Sequence, residues 1–350
     1  MWIAKIPLQV LAFGIFFASP TGAFGQTPFY QGKTITIIQA RQPGGTGDLR
    51  VRAQVPFLRK YIPGNPTIVL EFMGGGGGRK AANHVYRSSA PDGLTIGAMT
   101  PGFVPSAVLG EPGVLYDLDK TIYLGSPDGA AQWVFGTRRE VGASNLEKLR
   151  SLSGLRIGAQ SVGHPIYLTG RLFAYLLGLK EPKFVTGYTT QELDIALLRG
   201  EVDGRSNLAE TIVLRNFDWI EKKLVDFHSI IEVPKGNKQA HFAHVPELET
   251  FAATDKERKV LTLLRAFRAT GSPNILPPGT PRDRVEILQE AMRKTFKDPE
   301  FHKEFIKLAG DEPAPLMPEE LEKAVREMPR DREVIDFFKK LSGTDPLPAR

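Results

Sequence analysis

Two short loops in this chain carry the residue types that hold small anions. Gln42-Pro43-Gly44-Gly45-Thr46-Gly47-Asp48 follows the apolar run TITIIQA, and Gln160-Ser161-Val162-Gly163-His164-Pro165 follows LRIGA. Glycines between a strand and a helix leave backbone N–H groups bare, and the helix dipole adds positive potential. A carboxylate or another small oxyanion is the chemistry the first loop suits. The same residues also suit a plain tight turn, with Thr46 as N-cap and Asp48 in the first helical turn. A third stretch, Gly74 to Gly78, reads as a connector or as a second anion nest beside the first.

Nucleotide chemistry is poorly served. The pattern GxxxxGK[ST] finds no lysine after Gly44 or Gly45, and GxGxxG fails because Arg50 takes the place of the third glycine. No cofactor is expected. Ala159-Gln160-Ser161-Val162-Gly163 is one residue away from the G-x-S-x-G nucleophile elbow, so the alternative to a binding protein is a secreted serine hydrolase using Ser161. His164, Asp203, His228 and His241 would be its possible partners. His241-x-x-His244 lacks a third ligand at a matching helical offset, and no metal is expected.

The elements that must position these loops alternate along the chain. TITIIQA, TIVLEF and LTIGAM read as strands, separated by a helical pattern through Val51, Val55, Leu58 and Ile62 and by a helix past Arg79. Pro56 removes a backbone donor inside the first helix pattern and should kink it or end a turn. A second series runs from QWVFG through a capping box at Ser144-x-x-Glu147, LRIGA, a helix carrying Leu168, Leu172, Tyr175 and Leu176, then KFVTG. It ends with a capping box at Thr189-x-x-Glu192, a helix closing at Gly200, and EVDGRS. The remainder is mostly helical, with Thr280-Pro281 as a cap and first position, Met292 and Phe296 in the core, and Pro318 opening a last helix. Two tandem units of this kind predict an α/β protein of two lobes, each a mostly parallel sheet flanked by helices. Ligands bind such folds at the carboxyl ends of the strands, in the cleft between lobes.

The 350 residues are 41% hydrophobic, which excludes a disordered chain and allows about two domains. The formal charge of +6 is spread among acidic residues without a basic, aromatic-interleaved element, so nucleic acid is not an expected partner. Lys5, the apolar run 6–18 and the triplet Ala23-Phe24-Gly25 predict a secretory leader over residues 1–25, cleaved before Gln26. Losing Lys5 with it takes the formal charge from +6 to +5. There is no cysteine, hence no disulfide and no thiol for a lipid anchor, and no later segment has the length and apolarity of a membrane span. A freely diffusing, exported protein is the expectation.

In order along the chain, these loops resemble those of the extracytoplasmic solute receptors of the tripartite tricarboxylate transporter family, the Bug receptors. The resemblance rests on Pro43-Gly44-Gly45-x-x-Asp48, Glu71 before the glycine run, APDGLTIG from Ala90, IGAQSVGHPIYLTGRLF from Ile157, Tyr188, LLRGEVD from Leu197, and LPPGTPRDRV from Leu276. It implies a monomeric periplasmic binding protein that closes on a small carboxylate and delivers it to separate membrane subunits. It further implies one lobe from 26–130 and 253–350, a second from 131–252, and chain crossings near 130 and 252. Carried over by position, the ligand-binding residues are Gly44, Gly45, Thr46 and Asp48 from the first lobe and Ser161, Val162, Gly163 and His164 from the second. Thr100, Pro101, Tyr188, Asp203 and Asn207 form a second rank. The chain departs from the family at Arg41 and Gln42, where an aromatic and a proline are usual, at Phe72-Met73, where Asn-Arg is usual, and at His164-Pro165-Ile166, where small hydroxyl residues are usual. A protonated His164 pairing with a second anionic group would make affinity rise at low pH.

Overall fold

The structure is a computed structural model describing residues 1–2, 27–236, 238–310 and 312–350. The leader run and its cleavage position lie outside the described residues. Strands β1 (Thr34–Gln39), β2 (Thr67–Phe72) and β3 (Thr95–Ala98) form where the β-branched runs predict them, and pair in parallel in the order β2-β1-β3. Strand β4 (Ile122–Gly125) follows, and the chain then crosses to a second sheet. That sheet contains β5 (Ala131–Arg138), β6 (Arg156–Gly158), β7 (Lys183–Val185), β8 (Gly204–Leu208) and β9 (Val225–Val233), and a late strand, β10 (Asn274–Leu276), returns to the first.

The two sheets share one plan, β2-β1-β3-β10-β4 and β7-β6-β8-β5-β9. In each, three strands are parallel, and the remaining pairings, β3 with β10, β10 with β4, β8 with β5 and β5 with β9, are antiparallel. This order fixes how the sheets face. Strand β4 runs with β1 to β3 and leaves from their carboxyl edge, whereas β5 runs against β8 and enters at the carboxyl edge of the second sheet. The loops after β1, β2 and β3 and those after β6, β7 and β8 therefore lie on the two edges that the crossing chain joins.

Alternation along the strands feeds three apolar clusters. Ile35 and Ile37 pack with Val51, Leu58, Met292 and Phe296 on one face of the first sheet. Val134 packs with Leu193, Leu197, Ile212 and Trp219 on one face of the second. Ile38, Met99, Trp133, Phe135 and Phe173 share the largest cluster with Val260, Leu264 and Phe338, so one core continues from sheet to sheet.

Three passages run side by side between the sheets: 126–130, 269–273 and 313–317. Leu316 N donates to Ser126 O at 2.8 Å, and Gly129 N donates to Ala314 O at 2.6 Å. Asp128, 4% exposed, ties them. Its carboxylate accepts from Ser272 N (2.8 Å), Ser272 Oγ (3.2 Å) and Arg50, while Arg268 donates to the carbonyls of Asp128 (2.8 Å) and Ala130 (2.6 Å). Gly129 has no room for a side chain, since a Cβ there would stand 2.2 Å from Leu316 Cδ1.

Several local expectations shift by one residue. Asn145, not Ser144, caps its helix, its Oδ1 accepting from Lys148 N at 2.9 Å, because an amide in that position reaches the bare donor. Pro281 stands at the cap and the helix Arg282–Lys297 begins after it. The helix Thr46–Tyr61 runs through Pro56, forfeiting one backbone hydrogen bond. The boxes and stops at Thr189, Glu192 and Gly200 form as read. Pro318 opens a helix, Pro318–Arg326, that is followed by another, Arg332–Ser342.

This final helix packs against the helix Asp255–Ala269 and against the helix Pro165–Leu177 of the second lobe. Arg171, 1% exposed, explains the contact. Its guanidinium sits 4.8 Å from the ring centre of Phe184 and donates to the carbonyls of Leu341 and Asp345, and Tyr167 Oη donates to Gly343 O at 2.8 Å. Arg350 closes the clamp on Leu176 O (2.6 Å) and Glu257 (2.9 Å). At the other end, Tyr30 is buried under the first sheet and donates to Gly93 O at 3.2 Å. Among the described residues no helix is long and apolar enough to cross a membrane.

Candidate functional site

At the end of β1 the chain turns through Gly44, whose φ of +88° is a left-handed conformation that favours glycine, into Gly45 at the helix cap. Thr46 is the first helical residue rather than the cap. With glycine at the cap no side chain bonds to the first turn, and Asp48 N and Leu49 N both return to Gly45 O (2.9 and 3.1 Å). The N–H groups of the first turn ahead of Asp48 are thus left for an outside partner. Gly44, Gly45 and Thr46 are exposed, and a Cβ on Gly45 would meet nothing within 4 Å.

Asp48 differs from its expected role. Its carboxylate points inward, 1% exposed, and accepts from Gly44 N (2.8 Å), Gln39 Nε2 (2.7 Å) and Arg52 Nε (3.0 Å). Burial pushes its pKa up, but the hydrogen bonds from Gly44, Gln39 and Arg52 outweigh this and hold it below the usual carboxylate range. It braces the loop instead of facing a ligand. Gln39, a polar residue closing an apolar strand, is the partner that sequence reasoning missed, and that oddity was its signal.

The neighbouring loops of the first sheet meet this one. Gly75 to Gly78 all have positive φ, and the run packs under Thr100, whose Oγ1 donates to Gly77 O at 3.0 Å. Pro101 is exposed at the next turn. The glycine run is thus an ordered turn on the same edge.

On the second sheet, Ser161, Val162 and Gly163 are exposed after β6, and Gly163 has φ +81°. Gly187 N donates to Gln160 O at 2.8 Å, bringing half-buried Tyr188 beside this loop. His164 is the cap of the helix Pro165–Leu177, its Nδ1 accepting from Ile166 N at 3.2 Å. Burial first and the charge of Arg205 second lower its pKa. The imidazole is therefore neutral near pH 7 and offers Nε2–H, which opposes the expected protonated pairing.

Two second-rank residues fall outside the cluster. Asp203 precedes β8 and stands at the amino end of the sheet, where it accepts from Arg156 N (2.9 Å), Arg156 Nε (3.0 Å) and Arg156 Nη2 (2.7 Å). Burial raises its pKa, but these bonds hold it below the usual range. Asn207 is buried at 2% exposure on the face of β8 that carries Leu197 and Trp219, its Oδ1 accepting from Leu208 N. Neither belongs with the exposed loops.

The hydrolase constellation does not assemble. No hydrogen bond joins the Ser161 side chain to a base among the described residues. His241 pairs with Gln239 and the edge of Phe217, and His228 lies in the interior, its Nε2 2.8 Å from Thr137 Oγ1. Among the described residues no three metal-ligating side chains converge. Burial lowers the His228 pKa to about 4, so the unfolded chain takes up a proton below 6.5 while the folded one resists until about 4. Stability from this group is full above pH 6.5 and falls by about 3 kcal/mol as pH drops to 4. Urea titrations across that window should show the fall in the native protein and a shallower one in His228→Gln; equal slopes would refute the assignment.

No family model matches the chain, and no curated protein does. Solved structures do. The periplasmic binding protein BugD superimposes with a TM-score of 0.56 at 20% identity, covering 89% of this chain and 98% of its own. A TctC solute-binding protein from Polaromonas gives 0.65 at 15%, covering 89% and 98%. MatC from Rhodopseudomonas palustris, solved with bound malate, gives 0.54 at 20%, covering 89% and 99%. This chain has the periplasmic binding-protein fold. Gly44 to Thr46, Thr100, Ser161 to His164 and Tyr188 stand on the two joined carboxyl edges, the side of an α/β sheet where ligands generally bind.

Proposed function

We propose that the chain is an exported solute receptor of the tripartite tricarboxylate transporter type, capturing a small carboxylate in the periplasm and presenting it to membrane subunits. The observation that carries this reading is the glycine-capped helix at Thr46, with open first-turn donors on one joined edge and the Ser161–His164 loop on the other. One lobe would comprise 26–130 and 253–350 and the other 131–252, with the final helix of the first docked on the second. The ligand set would be Gly44, Gly45, Thr46, Thr100, Pro101, Ser161, Val162, Gly163, His164 and Tyr188, with Asp48 as the brace. Closure of the lobes on the solute would exclude water from these contacts. The likeness to BugD, TctC and MatC, the last seen with malate, supports the class of solute.

The test is the melting temperature of the chain from Gln26 onward against mono-, di- and tricarboxylates, aromatic acids, amino acids and phosphate. A ligand at about 100 times its dissociation constant adds roughly 2.7 kcal/mol, worth several degrees in a chain of this size. A shift confined to carboxylates is expected. Labelling of Ser161 by a fluorophosphonate, lost in Ser161→Ala and accompanied by no carboxylate shift, would replace the receptor with a hydrolase.

A further inference from the structure

Arg41 lies two residues beyond β1 and immediately before the glycine loop. Its Nη2 donates to the carbonyls of Ala98 (3.4 Å) and Met99 at the end of β3. A Cβ built on Gly47 would stand 2.1 Å from Arg41 Nη1 and 3.0 Å from Cζ, so the guanidinium lies against the first turn of the helix Thr46–Tyr61, in space that only a glycine leaves open. Its Nε is shut off from solvent with no hydrogen-bond partner. Among the described residues no carboxylate stands within ion-pairing distance of Arg41. Asp128 and Asp48 favour its charge from farther off, but the first is already taken by Arg50 and Ser272 and the second by Gly44, Gln39 and Arg52.

Burial pulls the Arg41 pKa down, yet a guanidinium starts so high that it stays charged. A half-buried cation with no carboxylate in contact is costly, and an anion arriving at its open side recovers part of that cost. The Nη1 side is the one beside the exposed loop.

We infer that Arg41 is the charged contact of the site: the solute's carboxylate forms a salt bridge with Arg41 Nη1 while meeting the backbone donors at Gly45 to Gly47. The inference rests on the receptor reading and narrows it to solutes recognised by full negative charge. Neutral isosteres that offer the same oxygen atoms are rejected.

The experiment is calorimetric titration of the chain from Gln26 onward with succinate, malate, adipate and citrate, and with succinamide as the neutral counterpart. Charge-assisted hydrogen bonds of this kind are worth about 30-fold in affinity. Arg41→Gln should weaken binding of whichever acid the native protein takes by about that factor, and Arg41→Lys by less, because the ammonium keeps the charge without the planar fork. Gly47→Ala is the second variant. Its methyl group collides with the Arg41 side chain from Cδ to Nη1 and with no backbone atom among the nearest contacts, so it should fold normally while pushing the guanidinium aside, and it should cost little further in an Arg41→Gln background. Affinity of Arg41→Gln within threefold of native would overturn the inference and spare the receptor, as would succinamide binding as tightly as succinate. If the native protein binds none of the four acids, the titration is repeated with whichever carboxylate shifts the melting temperature, and a melting panel with no carboxylate shift overturns both readings.

Discussion

Asp128→Ala is expected to lower the unfolding free energy by about 4 kcal/mol, the scale set by removing one partner from a buried ion pair. The side chain is 4% exposed, and its carboxylate ties the crossing 126–130 to Ser272 on the second passage and to Arg50 on the helix after β1. Alanine would leave Ser272 N without its acceptor and the Arg50 charge without this carboxylate. Asp128→Asn keeps the shape and one oxygen, so the cost should drop to about 1–2 kcal/mol. Because one apolar cluster runs from sheet to sheet, the loss should appear as a shifted midpoint with an unchanged slope in urea. A loss below 1 kcal/mol would mean that apolar packing alone holds the crossings.

Gly45→Val is expected to have the opposite profile, with affinity reduced roughly 100-fold or more and stability lowered by about 1 kcal/mol or less. Gly45 has φ −81° and ψ 166°, ordinary extended values, and a Cβ there meets nothing within 4 Å. The fold therefore accepts the branched side chain, which would stand over the donors of the first helical turn. Gly44 is no substitute for this test, since φ +88° would strain any side chain and confuse folding with binding. The measurement is calorimetric affinity for the acid found in the melting panel, alongside urea unfolding. Native affinity in a folded Gly45→Val protein would discard the loop as the grip.

How much of this was legible depends on how local each feature is. The runs TITIIQ and TIVLEF, the Thr189 capping box and the stop at Gly200 declare themselves within a few residues, because period, cap and left-handed glycine are local. The loops Gly44–Thr46 and Ser161–His164 were visible for the same reason. Parallel pairing of β1 to β3 and of β6 to β8 follows from the alternation, but the antiparallel pairings do not, since β10 inserts between β3 and β4 from far along the chain. Asp48 and Asp203 show a subtler failure. A carboxylate beside a glycine loop looks like a ligand contact, but Gln39 and Arg52 take the first and Arg156 the second. A strand as short as β8 makes the difference between its two ends a matter of a few residues. The docking of the final helix on Pro165–Leu177 was not legible, because Arg171, the residue that bonds its end, sits inside an otherwise apolar helix and gives no hint of its partners.

The anchoring of Tyr30 and Arg350 reaches beyond stability. Tyr30 is fixed beneath the first sheet and Arg350 is clamped to the helix Pro165–Leu177 beside the second. Closure of the lobes as proposed would therefore change the separation of Tyr30 and Arg350, with no loop interrupted. If the proposed receptor reading holds, a donor fluorophore before Tyr30 and an acceptor after Arg350 would turn solute capture into a colour ratio, making the native topology a frame for a reagentless optical sensor.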